Sequence, residues 1–285
     1  MIEIRTADNS GIDKILDLSD EFGLQMGVGS ESCVHKLPSP DQVRRLAGSM
    51  EGLTVVTPIT PQKHYRYTIE YIKSLPSGVR LVVNDMGILY ALHKSGDARN
   101  FYPLVAGRGI VHTGQACPWA DHLLRDESDL IKDAFYGTNL NYSRTLDLLK
   151  NMGITAMETD LESKTIEAAV KTGLPVGAHY EYIAVSYARS CHTARFFSEQ
   201  PPHCAARCNV PIKLELVDMF DISGTPPGFA KPDQEMMDIF PDLYLLGSII
   251  YYKSSCMEIE GAQRIIINAD MYDFKSVKDI VMSFT

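Results

Sequence analysis

The chain lacks any apolar run approaching the roughly 20 residues that a bilayer-spanning helix requires. Its first residues, Met-Ile-Glu-Ile-Arg-Thr-Ala-Asp, carry acids where a signal peptide is basic and then apolar. A soluble, cytoplasmic protein without a membrane span is therefore expected. An excess of cations is missing too: 27 Lys and Arg against 36 Asp and Glu leave a formal net charge of −9. That balance argues against nonspecific binding to a nucleic-acid backbone, which needs clustered cations, while leaving room for a local basic site. The sequence contains no Gly-x-Gly-x-x-Gly turn after a strand, no His-Glu-x-x-His and no Gly-x-Ser-x-Gly, so the usual marks of dinucleotide binding, zinc peptidases and serine hydrolases are absent. Tryptophan occurs once, as Trp119, and cysteine six times. So few cysteines in a cytosolic chain read as metal ligands or buried residues rather than as a disulfide framework. What is present is apolar content, 45% over 285 residues, enough for a sizeable core and too much for disorder.

Short β-rich runs alternate with helical stretches. Residues 53–56 lead into a helix whose apolar positions Tyr65, Ile69 and Ile72 recur at helical spacing. A β-branched strand at 79–83 ends at Asn84-Asp85 and precedes a helix at 86–92, and a strand at 103–106 ends at Gly107. A helix at 145–150 closes at Asn151-Met152-Gly153, followed by a strand at 154–157, a helix at 161–172 and a strand opening at 174–177. Further strand candidates lie at 213–217, 242–246 and 264–268, before a final helix from Val277. Strand followed by helix, repeated, means parallel strands joined by crossover helices. The number of repeats favours an α/β, TIM-barrel-like closed barrel over an open doubly wound sheet. A single barrel-like domain over residues 1–285 is expected, with an inserted segment at about 114–137 that reads as a lid, a partner surface or a plain surface excursion. The Gly-Thr-Pro-Pro-Gly stretch at 224–228 is a rigid turn.

Ligands of such folds sit at the carboxyl ends of the strands. The residues placed there by this pattern are Asn84, Asp85, Arg108, Glu158 and Asp160. Asp85 has a second reading, as the cap of the following helix. Arg108 stands between two glycines that would let the backbone approach a ligand, and the alternative is a loop arginine in solvent. An arginine so placed suits a carboxylate ligand held by paired hydrogen bonds.

The chemistry-bearing constellation is a group of thiols. Cys191, Cys204 and Cys208 fall within residues 186–209, with a Gln-Pro-Pro-His connector between the first and the other two. Cys204 and Cys208 are four apart, so a helix or tight turn puts both sulfurs on one face. A shared metal explains the grouping, and Cys33, in Gly-Ser-Glu-Ser-Cys-Val, is the fourth ligand chosen. Soft thiolates select an iron–sulfur cluster, zinc or cuprous copper, and the spacing leaves that choice open. Arg189, Arg195 and Arg207 flank the group and would offset thiolate charge; His192 and His203 would donate to sulfur or simply face solvent. Cys117 and Cys256, which stand alone, read as packing residues.

These residues resemble the collagenase-like peptidase family (the U-thirty-two peptidases), and within it the UbiU/UbiV-like branch of ubiquinone-biosynthesis proteins, its UbiV side in particular. The cysteine order, preceded by Ser-Tyr-Ala-Arg-Ser and followed by His-Thr-Ala-Arg, is the specific part of the likeness. Val83-Asn84-Asp85-Met86-Gly87, Val105-Ala106-Gly107 and Thr138-Asn139-Leu140-Asn141-Tyr142-Ser143 are weaker matches, and the likeness thins beyond Cys208. The resemblance implies a 4Fe-4S cluster on Cys33, Cys191, Cys204 and Cys208, hydroxylation without molecular oxygen, and prephenate as hydroxyl donor. It implies a homologous barrel as partner; a related branch hydroxylates a transfer-RNA uridine. Three features depart from the pattern: the 114–137 segment, Glu181 where the family usually has glycine, and Asp160 in place of a glutamate.

The expected function is oxygen-independent hydroxylation of a small-molecule, lipid-like or quinone-like acceptor, with Asn84, Asp85, Arg108, Asn141 and Asp160 as candidate substrate-binding residues and no catalytic residue singled out. The acidic balance favours such an acceptor over nucleic acid. The alternatives are a non-catalytic, cluster-bearing electron-transfer subunit of a heterodimer and a zinc-binding structural protein; a peptidase is not expected.

Overall fold

The computed structural model describes residues 1–114, 117, 119–214, 238–254 and 260–284. In chain order the first seven strands are β1 (Ile2–Thr6), β2 (Gln25–Gly29), β3 (Thr54–Thr57), β4 (Arg80–Val83), β5 (Leu104–Ala106), β6 (Ala156–Asp160) and β7 (Val176–His179). Each pairs in parallel with the next. The chain then leaves the barrel for β8 (Tyr182–Tyr187), β9 (Ile212–Leu214), β10 (Leu243–Leu246) and β11 (Ile249–Lys253), an antiparallel sheet of order β8-β11-β10-β9. It returns as β12 (Arg264–Asn268), parallel to β7 on one side and β1 on the other, closing an eight-stranded barrel. The fold is thus the expected TIM-barrel-like α/β architecture.

The helices are α1 (Ile12–Phe22), α2 (Pro40–Ser49), α3 (Tyr65–Lys73), α4 (Met86–Ser95), α5 (Ala120–Leu123), α6 (Asp129–Tyr136), α7 (Ser143–Asn151), α8 (Ser163–Val170), α9 (His192–Phe196) and α10 (Phe274–Phe284). Strand alternation decides what they pack against. Ile4, Val28, Val55, Leu81, Met157 and Ile267 share the main core with helix residues such as Ile12, Leu46, Ile72 and Leu89, all buried. Each such side chain contributes about 1.5–3 kcal/mol through removal from water. The alternate positions face the barrel interior. On β3 to β6 these are Val56, Val82, Val105 and Ala156, a small apolar cluster of their own. On β1, at the start of β12 and at the end of β6 they are charged, and β7 adds Gly177 and His179, a departure from the bulky aliphatic layers usual inside such barrels.

Three expectations are corrected. The stretch at 154–157 becomes a strand only from Ala156, because Gly153 turns with φ +98 and residues 154–155 lead in. Glu158 and Asp160 therefore lie on β6, two apart on its inner face, rather than past its end. The 213–217 and 242–246 candidates belong to the antiparallel sheet, not to the barrel. Residues 215–217, the 224–228 turn and Cys256 lie outside the described residues. The 114–137 excursion is present between β5 and β6 and carries α5 and α6. A longer excursion, between β7 and β12, carries the sheet and three of the clustered cysteines.

Candidate functional site

The barrel interior is built around Glu158. Arg5 grips it with two nitrogens at 2.8 and 2.5 Å, Arg264 Nη2 donates to it at 2.6 Å, and His179 Nε2 lies 3.2 Å away. Glu3 accepts from Arg5 (2.5 Å), Arg264 (3.0 Å), Arg80 (3.1 Å) and Thr54 (2.8 Å). All of this but the half-buried Arg80 is buried, Glu3 and Glu158 completely. Burial alone raises a carboxyl pKa, yet the guanidiniums outweigh it: Glu158 is held well below its ordinary value, and Glu3 is lowered. Glycine makes the room. A Cβ on Gly27 would stand 2.7 Å from Arg5 Cγ and 2.9 Å from Glu3 Oε1, and one on Gly177 would stand 2.9 Å from Arg264 Nη2.

Above this layer, towards the carboxyl ends of the strands, Arg108 is the hub. Its Nη2 and Nε reach Glu31 at 2.6 and 3.3 Å, and its Nη1 reaches Asp160 Oδ1 at 2.6 Å and the Tyr182 carbonyl at 3.0 Å. The guanidinium also lies 5.5 Å from the Tyr251 ring centroid. The two acids respond differently. Burial would raise both; Arg108, reaching Glu31 through two nitrogens, brings it below its ordinary value, whereas Asp160 stays raised by burial against Arg108's pull. Burial, with Arg108 next, lowers His179, which is a neutral imidazole near pH 7. Glu31, Glu158 and His179 bring ligand atoms within 4.8 Å of one another, the one such trio among the described residues. Arg5, Arg108 and Arg264 already supply positive charge to its carboxylates.

The five candidate substrate residues fare unequally. Arg108 is buried with its donors engaged, so the carboxylate expected as a ligand is the protein's own Glu31. Its flanking glycines approach Asn84, not a ligand: a Cβ on Gly109 would lie 2.9 Å from Asn84 Cβ. Asn84, itself buried, donates to the Thr57 carbonyl at 2.9 Å and accepts from Gly109 N–H at 2.9 Å, pinning adjacent strand ends together. Asp85 caps α4, accepting from Gly87 and Ile88 N–H, and its other oxygen meets Arg189 Nη2 at 3.0 Å. Asp160 belongs to the Arg108 hub. Asn141 is elsewhere: it accepts from Thr138 N–H at 2.7 Å in a capping box before α7 and donates to the Ala168 carbonyl at 2.7 Å.

The cysteines come from three segments that are stitched together by backbone. Cys33 follows β2, its N–H donating to Ser30 Oγ at 3.2 Å. The β10–β11 turn docks on this loop: Ser248 Oγ donates to the Ser32 carbonyl at 3.1 Å, and Gly247, at φ +65, has no room for a Cβ against Ser32. The same turn holds Cys191, because the Gly247 carbonyl accepts from Thr193 N–H at 2.9 Å and from Cys191 Sγ at 3.6 Å. Cys191 Sγ in turn caps α9, accepting from Ala194 N–H at 3.4 Å. Lys36, just past Cys33, donates to the Cys208 carbonyl at 3.2 Å and to Asn209. Glu199 accepts from Ala205 N–H at 2.9 Å and from Arg207 Nε at 3.1 Å, two residues that lie between Cys204 and Cys208. Those two cysteines are joined by a left-handed turn at Ala206 (φ +51), not by a helix. Burial pushes the Cys33 thiol up to about 11, and the thiols of Cys208, Cys191 and Cys204 add to the rise. Cys208 is raised by burial and by Cys191 and Cys204, against the pull of Lys36. Cys33 and Cys208 are therefore close enough to the other clustered thiols to feel their charge. None of the five described cysteines is in a disulfide.

Two cavities flank this group. One, about 40 Å³, lies over the barrel mouth between Arg5, Glu31, Lys36, His179, Asp270 and Cys208, with room for a few waters. The other, about 300 Å³, opens on the far side of Cys33 and Cys191 and is lined by Lys63, Arg189, Arg195 and the imidazoles of His35 and His64, stacked edge-on at 4.9 Å.

Sequence reading missed Glu31, His179, Arg5, Glu3 and Arg264. The signal was available for Glu3 and Arg5, since charges alternating with isoleucine along Ile2-Glu3-Ile4-Arg5 mark a strand whose inner face is not apolar, whereas Arg264 opens an isoleucine run with no such alternation. Glu181, which stands where the resembled family has glycine, adopts φ +59, a backbone state that favours glycine, and is held by Tyr272 Oη at 2.9 Å and Lys253 at 3.2 Å. No helix among the described residues is long and apolar enough to cross a membrane. Searches of protein-family models, of curated proteins and of solved structures find no match to this chain, and the family resemblance stays an expectation carried by the residues quoted for it.

Proposed function

We propose that Cys33, Cys191, Cys204 and Cys208 hold a 4Fe-4S cluster at the mouth of the barrel, and that the protein takes part in an oxygen-independent hydroxylation of a small-molecule or quinone-like acceptor. The observation that carries the reading is the convergence of four unbridged thiols, from three chain segments, in one charge-coupled group. Burial and neighbouring thiols disfavour ionisation of Cys33 and Cys208; an iron–sulfur cluster reverses that, because its irons bind thiolate and release the protons. Zinc is the rival occupant; at about 2.3 Å from each sulfur it would hold its sulfurs about 3.8 Å apart.

Hydroxylation without molecular oxygen takes its oxygen from water or a donor such as prephenate. In the water form, R–H plus water gives R–OH, two protons and two electrons, so an electron acceptor is required. A cluster supplies one-electron transfer when bound. The chain's own residues supply the rest of the setting: the small cavity beside Cys208 adjoins the His179 imidazole and the buried Lys36 side chain. A homologous barrel partner fits the same reading, as the source of the acceptor pocket or of the electron exit.

The test is an absorption spectrum with iron and acid-labile sulfide assays on protein purified without oxygen. A brown protein with about four irons, bleached by dithionite and colourless as Cys191→Ala, is the expected result. A colourless protein with stoichiometric zinc replaces the cluster by a structural ion and removes the hydroxylation reading with it.

A further inference from the structure

The 300 Å³ cleft beside Cys33 and Cys191 concentrates positive charge on a molecule whose formal net charge is −9. Lys63, between β3 and α3, and Arg195, on α9, stand on different elements around it, and neither has an ion-pair partner among the described residues. Arg189 is held in place, Nη1 on the Thr60 carbonyl at 2.6 Å and Nη2 on Asp85 at 3.0 Å, so one edge of its guanidinium is fixed before anything binds. The single acid of the lining, Glu199, is engaged by Arg207 and the Ala205 N–H. The volume matches the lower range of small-molecule sites.

Unpaired cations on separate elements of one concave surface repel each other, and an anion placed among them relieves that repulsion. We propose that this cleft is a binding site for a small molecule bearing oxyanions, carboxylate or phosphate. It is separate from the Arg108 hub, where the protein's own acids engage the guanidinium. The site does not depend on the cluster: it rests on Lys63, Arg189 and Arg195 and on the shape between them.

The experiment is calorimetric titration at low ionic strength, on protein purified without oxygen and assayed for iron, with succinate, inorganic phosphate and the uncharged succinamide as probes. Lys63→Gln and Arg195→Gln change exposed side chains and leave the fold intact. Each is expected to weaken anion binding about tenfold, the loss of one charge-assisted contact. Lys275→Gln, on α10 outside the cleft, is expected to leave binding unchanged, and succinamide is expected not to bind. Tighter succinate identifies a carboxylate ligand and tighter phosphate a phosphorylated one; either supports the site. Failure of both anions to bind wild type overturns the inference. So does a Lys63→Gln/Arg195→Gln double variant that binds like wild type, or an equal loss in Lys275→Gln. Iron-free protein that binds anions with this variant pattern removes the cluster and keeps the cleft; iron-loaded protein that binds neither anion removes the cleft alone.

Discussion

Replacing Glu158 by glutamine tests whether the ion network inside the barrel is what the interior is built on. The carboxylate accepts from two nitrogens of Arg5, one of Arg264 and the His179 imidazole, and it is fully buried. Glutamine keeps the shape but removes the charge, and its amide N–H groups meet guanidinium N–H groups. Arg5 keeps only Glu3 and Arg264 keeps only Glu3, so cationic charge is left in excess in a largely buried interior. Breaking a buried pair from one side costs about 3–5 kcal/mol, a large share of the 5–15 kcal/mol typical of a folded domain. Urea unfolding followed by far-ultraviolet circular dichroism measures it, with an unchanged dependence on urea showing that the folded state stays as compact. Adding Arg264→Met removes one stranded cation, so the double variant is expected to lose at least about 1 kcal/mol less than the sum of the two singles. A Glu158→Gln loss below about 1 kcal/mol, or strict additivity, refutes the reasoning: the interior would then tolerate the charge through water or rearrangement.

Gly27→Ala places a methyl 2.7 Å from Arg5 Cγ and 2.9 Å from Glu3 Oε1; the expected cost in the same unfolding assay is about 1–3 kcal/mol, whereas Gly48→Ala, whose added Cβ meets nothing within 4 Å, is expected to be neutral or stabilising. Acid unfolding is expected to set in below about the ordinary carboxyl value of 4.5, because Glu3, Glu31 and Glu158 all have folded-state values beneath it: their contribution is complete above that pH and is lost as pH falls towards the folded values. Asp160, raised by burial, acts in the opposite direction. Glu158→Gln is expected to flatten the acid limb of a stability–pH curve, and an unchanged limb contradicts the assignment.

The barrel was legible because its signal is local. Residues 79–83 and 264–268 carry their β-branched content openly, and Asn84-Asp85 and Gly107 mark strand ends that the structure keeps. Asp85 shows where local reading divides: capping was one of its two readings, and α4 uses it so, while the second oxygen anchors Arg189 from more than a hundred residues away. No spacing rule reveals such a pair. Asn141, offered as a substrate-binding residue within a motif resembling a helix start, stands in a capping box at such a start, where Thr138 and Asn141 satisfy each other. The hub at Arg108 was found with Asp160 but without Glu31 and the Tyr182 carbonyl, because the three converge on it from distant parts of the chain: the loop after β2, β6 and β8. The antiparallel sheet stayed hidden for a related reason: a strand's direction depends on its partner, and β10 and β11 reveal theirs only through the Gly247 turn.

The barrel's closing seam has a consequence for how the chain folds. β1 pairs with β12, so Glu3 and Ile266 stand side by side although more than 260 residues separate them. Until β12 is made and folded back, one edge of β1 is open, and an open edge recruits foreign strands. Both seam strands carry charge on the face that will turn inward, Glu3 and Arg5 on one and Arg264 on the other. A misplaced partner would have to bury those charges without Glu158, which is positioned only once β6 has joined the sheet. The ion pairs that look like an extravagance in the finished interior thus act as a lock whose key arrives late, rejecting premature closure and wrong neighbours in the same stroke.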